Sequence, residues 1–218
     1  QGSPLSLIGQ HYLFSAHMVT MALTFIAVPP LILGGIPASF IRPLFQKPMV
    51  VKIVRWITNP IIVVLLFTGL YSVFHLPELF HIIMTNPLYL FIAKCVLLFV
   101  SFSMWWLLVN PLPEEDRLSN LQKLAVIFAN GALLTPLAAL IIFSESVLYS
   151  IYAEAHRIYP SFQPLDDQQT AGILMRIVQE IVFATMLAVL FFKWARKEHQ
   201  HEQSETTKHA KTNEPITE

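Results

Sequence analysis

His17 and Met21 stand four residues apart in HYLFSAHMVTMALTFIAVPPLILGGI, residues 11–36. On a helix, positions i and i+4 share a face, one turn above the other. An imidazole and a thioether so placed suit a soft metal such as Cu(I). The same pair also serves plain packing, with His17 in a polar contact between helices and Met21 filling core space. Other chemistry-bearing groups sit in other apolar runs. Lys94 interrupts one of them, and Arg176, Gln179 and Glu180 fall in the first half of the last. A charge at the centre of a bilayer costs about 2.5–3.5 kcal/mol on insertion scales, so each is a functional candidate by default. Arg176 and Glu180 share a helical face and can pair directly; Lys94 is a second possible partner for Glu180, and the alternative role for all of them is to hold helices together. Cys95, the sole cysteine, excludes an internal disulfide framework and any CxxC copper motif. It reads as an inert core thiol, with a ligand role as the weaker alternative. There is no hydrolase triad, phosphate-cradling glycine loop or HExxH zinc motif.

The elements that must carry these residues follow from composition. Of 218 residues, 55% are hydrophobic and 13% charged, and the mean hydropathy is +0.57. A soluble domain carries about a quarter charged residues. Half that charge, together with 16 Phe and 15 Pro, describes an all-α, polytopic membrane helical bundle. The formal net charge is zero, and no basic block points to nucleic acid. A span needs about 20 apolar residues, and the sequence predicts about five, near 12–33, 56–76, 88–109, 121–143 and 171–194. The Pro29-Pro30 step inside the first is tolerable only where neighbours cover the freed carbonyls.

Lysine and arginine in the short loops set orientation. The loop after the first span holds Arg42, Lys47, Lys52 and Arg55 and no acid, so it is expected inside. The loop after the second holds Glu78 without Lys or Arg, so it is expected outside. The KWARK segment, 193–197, is basic and expected inside. The chain is therefore expected to run with its N-terminus outside and its C-terminus cytoplasmic. Residues 1–197 form the expected bundle domain. Residues 198–218 are expected to be a disordered cytoplasmic tail, its His199, His201 and His209 being solvated. The outside segment 144–170 is expected to form a short amphipathic helix over VLYSIYAEAHRIY, ended by Pro160 and Pro164.

This topology places His17, His75, Lys94, Arg176, Gln179 and Glu180 at one depth, in the outer half, and predicts a polar cavity that opens outwards. His75 approaches the level of His17 from the second span. His17, Met21 and His75 would suffice for Cu(I), which accepts low coordination, whereas Zn(II) would want a fourth ligand.

The segments SPLSLIG, FSAHMVTMALTFIAVPPLILGGIP, RWITNP, HLPELF, WWLLVNPLP, LLTPLAALIIF and PLDDQQTAGILM occur in that order. Together they resemble the CtaG family of cytochrome c oxidase assembly proteins, in its Bacillus-type branch, over about residues 3–196. The resemblance implies a role in maturing a haem-copper oxidase in a bacterial plasma membrane, with oxidase subunits as partners, copper handling as a possible part of it and no catalytic turnover. It places His17 on the histidine of the family's SAHM segment. It also marks departures: Met21 stands where many relatives have a second histidine, and Leu90, Ala93 and Lys94 stand where many have H-x-x-E-H. Arg176 replaces an aromatic residue. The family is expected to have about seven spans, so two spans are expected to be missing before Gln1. Two rival readings keep the same residues: a membrane redox protein with haem between His17 and His75, and a metal or small-solute transporter.

Overall fold

Proline marks where the helices start. The structure, a computed structural model, describes residues 3–156 and 160–212, with side chains as far as residue 196. Helices α1 (Pro4–His11), α5 (Pro48–Ile57), α6 (Pro60–Phe74), α7 (Pro77–Thr85), α8 (Pro87–Val109) and α11 (Pro164–Thr212) each open on a proline. The first helical position lacks an intrahelical partner for its N–H, so proline costs nothing there and its fixed φ favours the helix. Side-chain caps precede several of these prolines. Ser3 accepts from Ser6 N, Asn59 from Ile61 N and Ile62 N, and Asn86 from Leu88 N and Tyr89 N. The Asn-Pro pair in RWITNP is thus a helix start. Helix α9 (Asn120–Ile142) has no initial proline and uses a capping box between Ser119 and Gln122 instead.

Four helical segments among the described residues are long and apolar enough to cross a membrane: Phe14–Gly35, Pro87–Val109, Asn120–Ile142 and Pro164–Arg196. The pair α5 and α6, bent by 57° at its join, makes a fifth if it is taken as one broken span. The second expected span, 56–76, is carried by the 15 residues of α6, while α5 lies in the stretch expected to be a loop; neither α5 nor α4 (Ala38–Phe45) buries a residue. The first span comprises α2 (Phe14–Ala22), a π-helical segment Leu23–Ala27, and α3 (Val28–Gly35). Pro29 has no N–H to give the carbonyl of Phe25, and the Ser101 hydroxyl of α8 donates to that carbonyl instead. The neighbour that a proline pair requires in lipid is present.

Helix α11 packs against both α9 and α2, and α8 packs against α3 and α6. Gly172 makes the α11–α9 approach close, because a Cβ there would lie 2.7 Å from a side-chain carbon of Ile142 and 3.1 Å from one of Ile141. Large apolar side chains such as Phe91, Phe128 and Phe143 point outwards, as lipid-facing positions do. The backbone of α11 stays helical to Thr212, over most of the stretch whose polar composition predicts disorder; residues 213–218 lie outside the described residues. The expected helix over 147–159 is one turn, α10 (Ser150–Ala153); residues 157–159 lie outside the described residues. Its aromatic neighbours turn inwards rather than lying along the interface: Tyr149 and Tyr152 are both buried.

Candidate functional site

The site is built where α2 begins. Helix α2 has no capping side chain of its own at Leu13. Its first N–H groups are taken by a carboxylate from a distant part of the chain. Asp167 Oδ2 accepts from Phe14 N at 2.6 Å and Oδ1 from Ser15 N at 3.0 Å, and the residue is only 4% exposed. A carboxylate there satisfies orphan donors and meets the positive end of the helix dipole. The neighbouring glutamines bind the loop that follows α9. Gln168 Oε1 accepts from Leu148 N at 2.7 Å and its Nε2 donates to Ser146 O, while Gln169 Nε2 donates to Ser144 O. On the other side, Gly9 of α1 lies against the backbone of α2. A Cβ at Gly9 would lie 2.7 Å from His17 N and 2.8 Å from its Cα. The first turns of α2 are thus fixed by α11 from one side and α1 from another.

His17, held in this way, is 3% exposed inside an aromatic box. Its ring stacks nearly parallel to Phe14, with centroids 6.0 Å apart, and to Phe74, at 6.3 Å, and meets Phe80 edge-on at 5.2 Å. His75, fully buried at the end of α6, approaches with its ring centroid 6.3 Å from that of His17 and its plane at 69°. His75 Nδ1 lies 2.7 Å from the carbonyl of Tyr71. A carbonyl only accepts, so Nδ1 carries the proton and Nε2 presents a lone pair. The Nε2 atoms of both histidines are buried and have no hydrogen-bond partner among the described residues. Two phenols close the box. Tyr149 donates to the carbonyl of His75 and Tyr152 to that of Gly9, each at 2.7 Å. Burial pushes both hydroxyls well above the usual tyrosine range, so they remain neutral donors.

Met21 is buried one turn below His17, and both border a cavity of about 220 Å³ between α1, α2 and α8. Lys94 and Cys95 of α8 line the same cavity. Lys94 is half-buried and has no ion-pair partner among the described residues. Cys95 is exposed, on the outer face of the bundle rather than in its core. The expected polar residues therefore do not meet in one place. Lys94 faces α1 and α2, whereas Arg176 on α11 donates to Gly131 O at 3.2 Å and Thr135 Oγ1 at 3.0 Å on α9. Arg176 also forms the ion pair with Glu180, whose side chain is half exposed. Gln179 is fully buried, with neither side-chain polar atom paired among the described residues.

Among the described residues no three His, Cys, Asp or Glu side chains converge on one point. His17 and His75 come together as a pair, with Met21 beside the first. Imidazole nitrogens and a thioether are donors of the kind that soft monovalent ions accept at low coordination, whereas Zn(II) takes four ligands. Phe74 and Phe80 have ring centroids within 6.3 Å of those of both imidazoles. Asp167, Gln168, Tyr149, Tyr152 and Gly9 belong to the site although residue types and spacing alone do not nominate them. The one available signal was the polar run DDQQ at the head of an apolar helix, which also reads as that helix's own acidic first turn.

A family model described as cytochrome c oxidase caa3 assembly factor matches residues 1–197. No curated protein and no solved structure matches the chain.

Proposed function

The chain belongs to the cytochrome c oxidase caa3 assembly factor family, and on that premise we propose that it works without catalytic turnover, as an outward-facing Cu(I) carrier in oxidase maturation. The observation that carries this reading is the pair of buried, unpartnered Nε2 atoms of His17 and His75 inside one aromatic box. An orphaned buried polar group costs about 1–3 kcal/mol, and a cation shared by the two imidazoles would offset that cost. Cu(I) tolerates low coordination and soft donors, and Met21 adds a thioether bordering the neighbouring cavity. Exchangeable cargo suits two or three ligands better than a closed four-ligand site. In this reading the protein sits in a bacterial plasma membrane with the histidine box towards the outside. An oxidase subunit receives the metal there. The bundle's other cavities favour this over solute transport, because that between α3, α8 and α11 and that between α4, α5 and α8 are lined mainly by apolar side chains.

The test is paired. Detergent-purified protein is titrated with Cu(I) against a chromogenic chelator for the parent, His17→Ala, Met21→Leu and His75→Ala, and oxidase copper is measured in cells carrying each variant. Binding falls most for the two histidine variants, and oxidase copper falls with it. A parent that binds no Cu(I) above the detergent blank, or variants that sustain full oxidase copper, would refute the carrier role and leave a scaffold for the oxidase subunit.

A further inference from the structure

The cavity beside the histidine box contains a cation and no anion. It lies between α1, α2 and α8 and measures about 220 Å³, below the range of about 300–1,000 Å³ typical of drug-sized sites. It has room for a small complex and not for a protein loop. Met21 and His17 bring soft-metal donors to its wall, and no residue that lines it is acidic. Lys94 enters it from α8, half-buried and without an ion-pair partner among the described residues. An ionisable side chain within a span ordinarily pairs with an opposite charge or marks a substrate path. The acids of the neighbouring α11 are committed elsewhere, Asp167 to the N–H groups of Phe14 and Ser15 and Glu180 to Arg176.

A second donor in the cavity is uncommitted. Thr20, Thr68, Thr135 and Thr185 each donate to the carbonyl four residues back. Thr24 lines the cavity from the π-helical segment and makes no side-chain hydrogen bond among the described residues. Such π-turns recur at functional sites. The cavity thus offers an incoming ligand an ammonium and a hydroxyl beside two soft donors.

This set discriminates by net charge. A bare Cu(I) ion meets like charge at Lys94. A Cu(I) ion held by two thiolates carries one net negative charge and is attracted, and thiolates are ligands that Cu(I) favours. We propose, resting on the carrier reading, that the cavity admits Cu(I) as an anionic complex with two small thiolates, which Lys94 draws in and holds beside Met21 and His17. The exchange involves no redox change. Two copper–thiolate bonds break, and bonds to the Met21 thioether and the two histidine Nε2 atoms form. Copper stays Cu(I), and solvent protonates each departing thiolate. The resulting neutral thiols have no charge to hold them at Lys94.

The experiment compares two copper donors with the same sulfur ligands and opposite net charge. These are Cu(I) in excess 2-mercaptoethanol, whose two-thiolate complex is an anion, and Cu(I) in excess cysteamine, whose ammonium groups make it a cation. The full chain in neutral detergent is mixed with each, and copper in the desalted protein is measured over time. Every protein carries Cys95→Ser, because the exposed thiol would itself take copper. The parent should load faster from the anionic donor. Lys94→Gln should slow that loading about tenfold, the lower end of what a cleft of one sign adds to association, and remove the preference. Lys94→Arg should retain it, and Lys193→Gln on α11 should change nothing. Equilibrium Cu(I) affinity, measured by chelator competition, should be no weaker in Lys94→Gln. Equal loading of the parent from both donors would overturn this proposal and leave the carrier role standing. So would a preference that survives Lys94→Gln, an equal effect of Lys193→Gln, or a weaker affinity that made Lys94 part of the metal site. A parent that takes copper from neither donor, and none from the chelator, would overturn the carrier role and this proposal together. If Lys94→Gln does not fold, the parent's own preference and the Lys94→Arg arm still decide.

Discussion

Removing the Asp167 carboxylate tests whether α11 sets the position of the histidine box. In Asp167→Ala the N–H groups of Phe14 and Ser15 lose their acceptor in a buried setting. Each orphaned buried donor costs about 1–3 kcal/mol, and losing a helix cap costs about 0.5–2 kcal/mol. These overlap, since the capping bonds are the donors' bonds, so the net loss is about 2–4 kcal/mol. For a chain of this size each kcal/mol lowers Tm by about 2–4 °C, so the expected fall is about 4–16 °C. Asp167→Asn keeps one oxygen acceptor and loses the charge facing the helix dipole, and should cost about half as much. Asp166→Ala is the control. Asp166 is exposed and, among the described residues, accepts from Gln163 N at 3.2 Å, so its loss should cost about 1 kcal/mol or less. The assay is thermal unfolding in detergent, followed through the emission of the buried Trp105, with Cu(I) binding measured below the transition. If Asp167→Ala unfolds within 2 °C of the parent, or if Asp166→Ala is equally harmful, the cross-chain cap does not hold α2.

Three further outcomes follow from the same structure. Gly9→Ala should cost about 1–3 kcal/mol in thermal unfolding by forcing a Cβ against the His17 backbone, whereas Gly69→Ala, with open space around it, should be neutral or stabilising by up to about 1 kcal/mol. Arg176→Leu leaves Glu180 without its ion-pair partner. It should therefore lower Tm more than Arg176→Leu combined with Glu180→Gln; equal losses would show that the bonds to Gly131 and Thr135 are what matter. In a Cys95→Ser background, an impermeant thiol reagent applied to intact cells should label Glu78→Cys and spare Lys47→Cys, and the reverse pattern would invert the proposed orientation.

What the sequence determined by itself was everything that depends on local chemistry. Low charge and long apolar runs require a helical membrane bundle, because only internally bonded helices or closed barrels span lipid. The starts expected at 88 and 121 fall within a residue of those of α8 and α9, whereas the one expected at 171 lies seven residues inside α11. The four-residue spacing of Arg176 and Glu180 puts them on one face, where they pair. The Pro29-Pro30 step required a neighbouring donor, although the sequence could not say that Ser101 would be it. Tertiary structure alone decided which elements share a side of the bundle. Equal depth in the membrane places Lys94 and Glu180 at one level, but depth says nothing about rotation around the bundle axis, and they face different helices. Helix α5 was hidden, since its Lys52 and Arg55 put it in the basic loop expected inside. The cap on α2 was hidden most completely: Asp167 lies 153 residues from Phe14. A carboxylate at a helix start carries no mark of which helix it will serve.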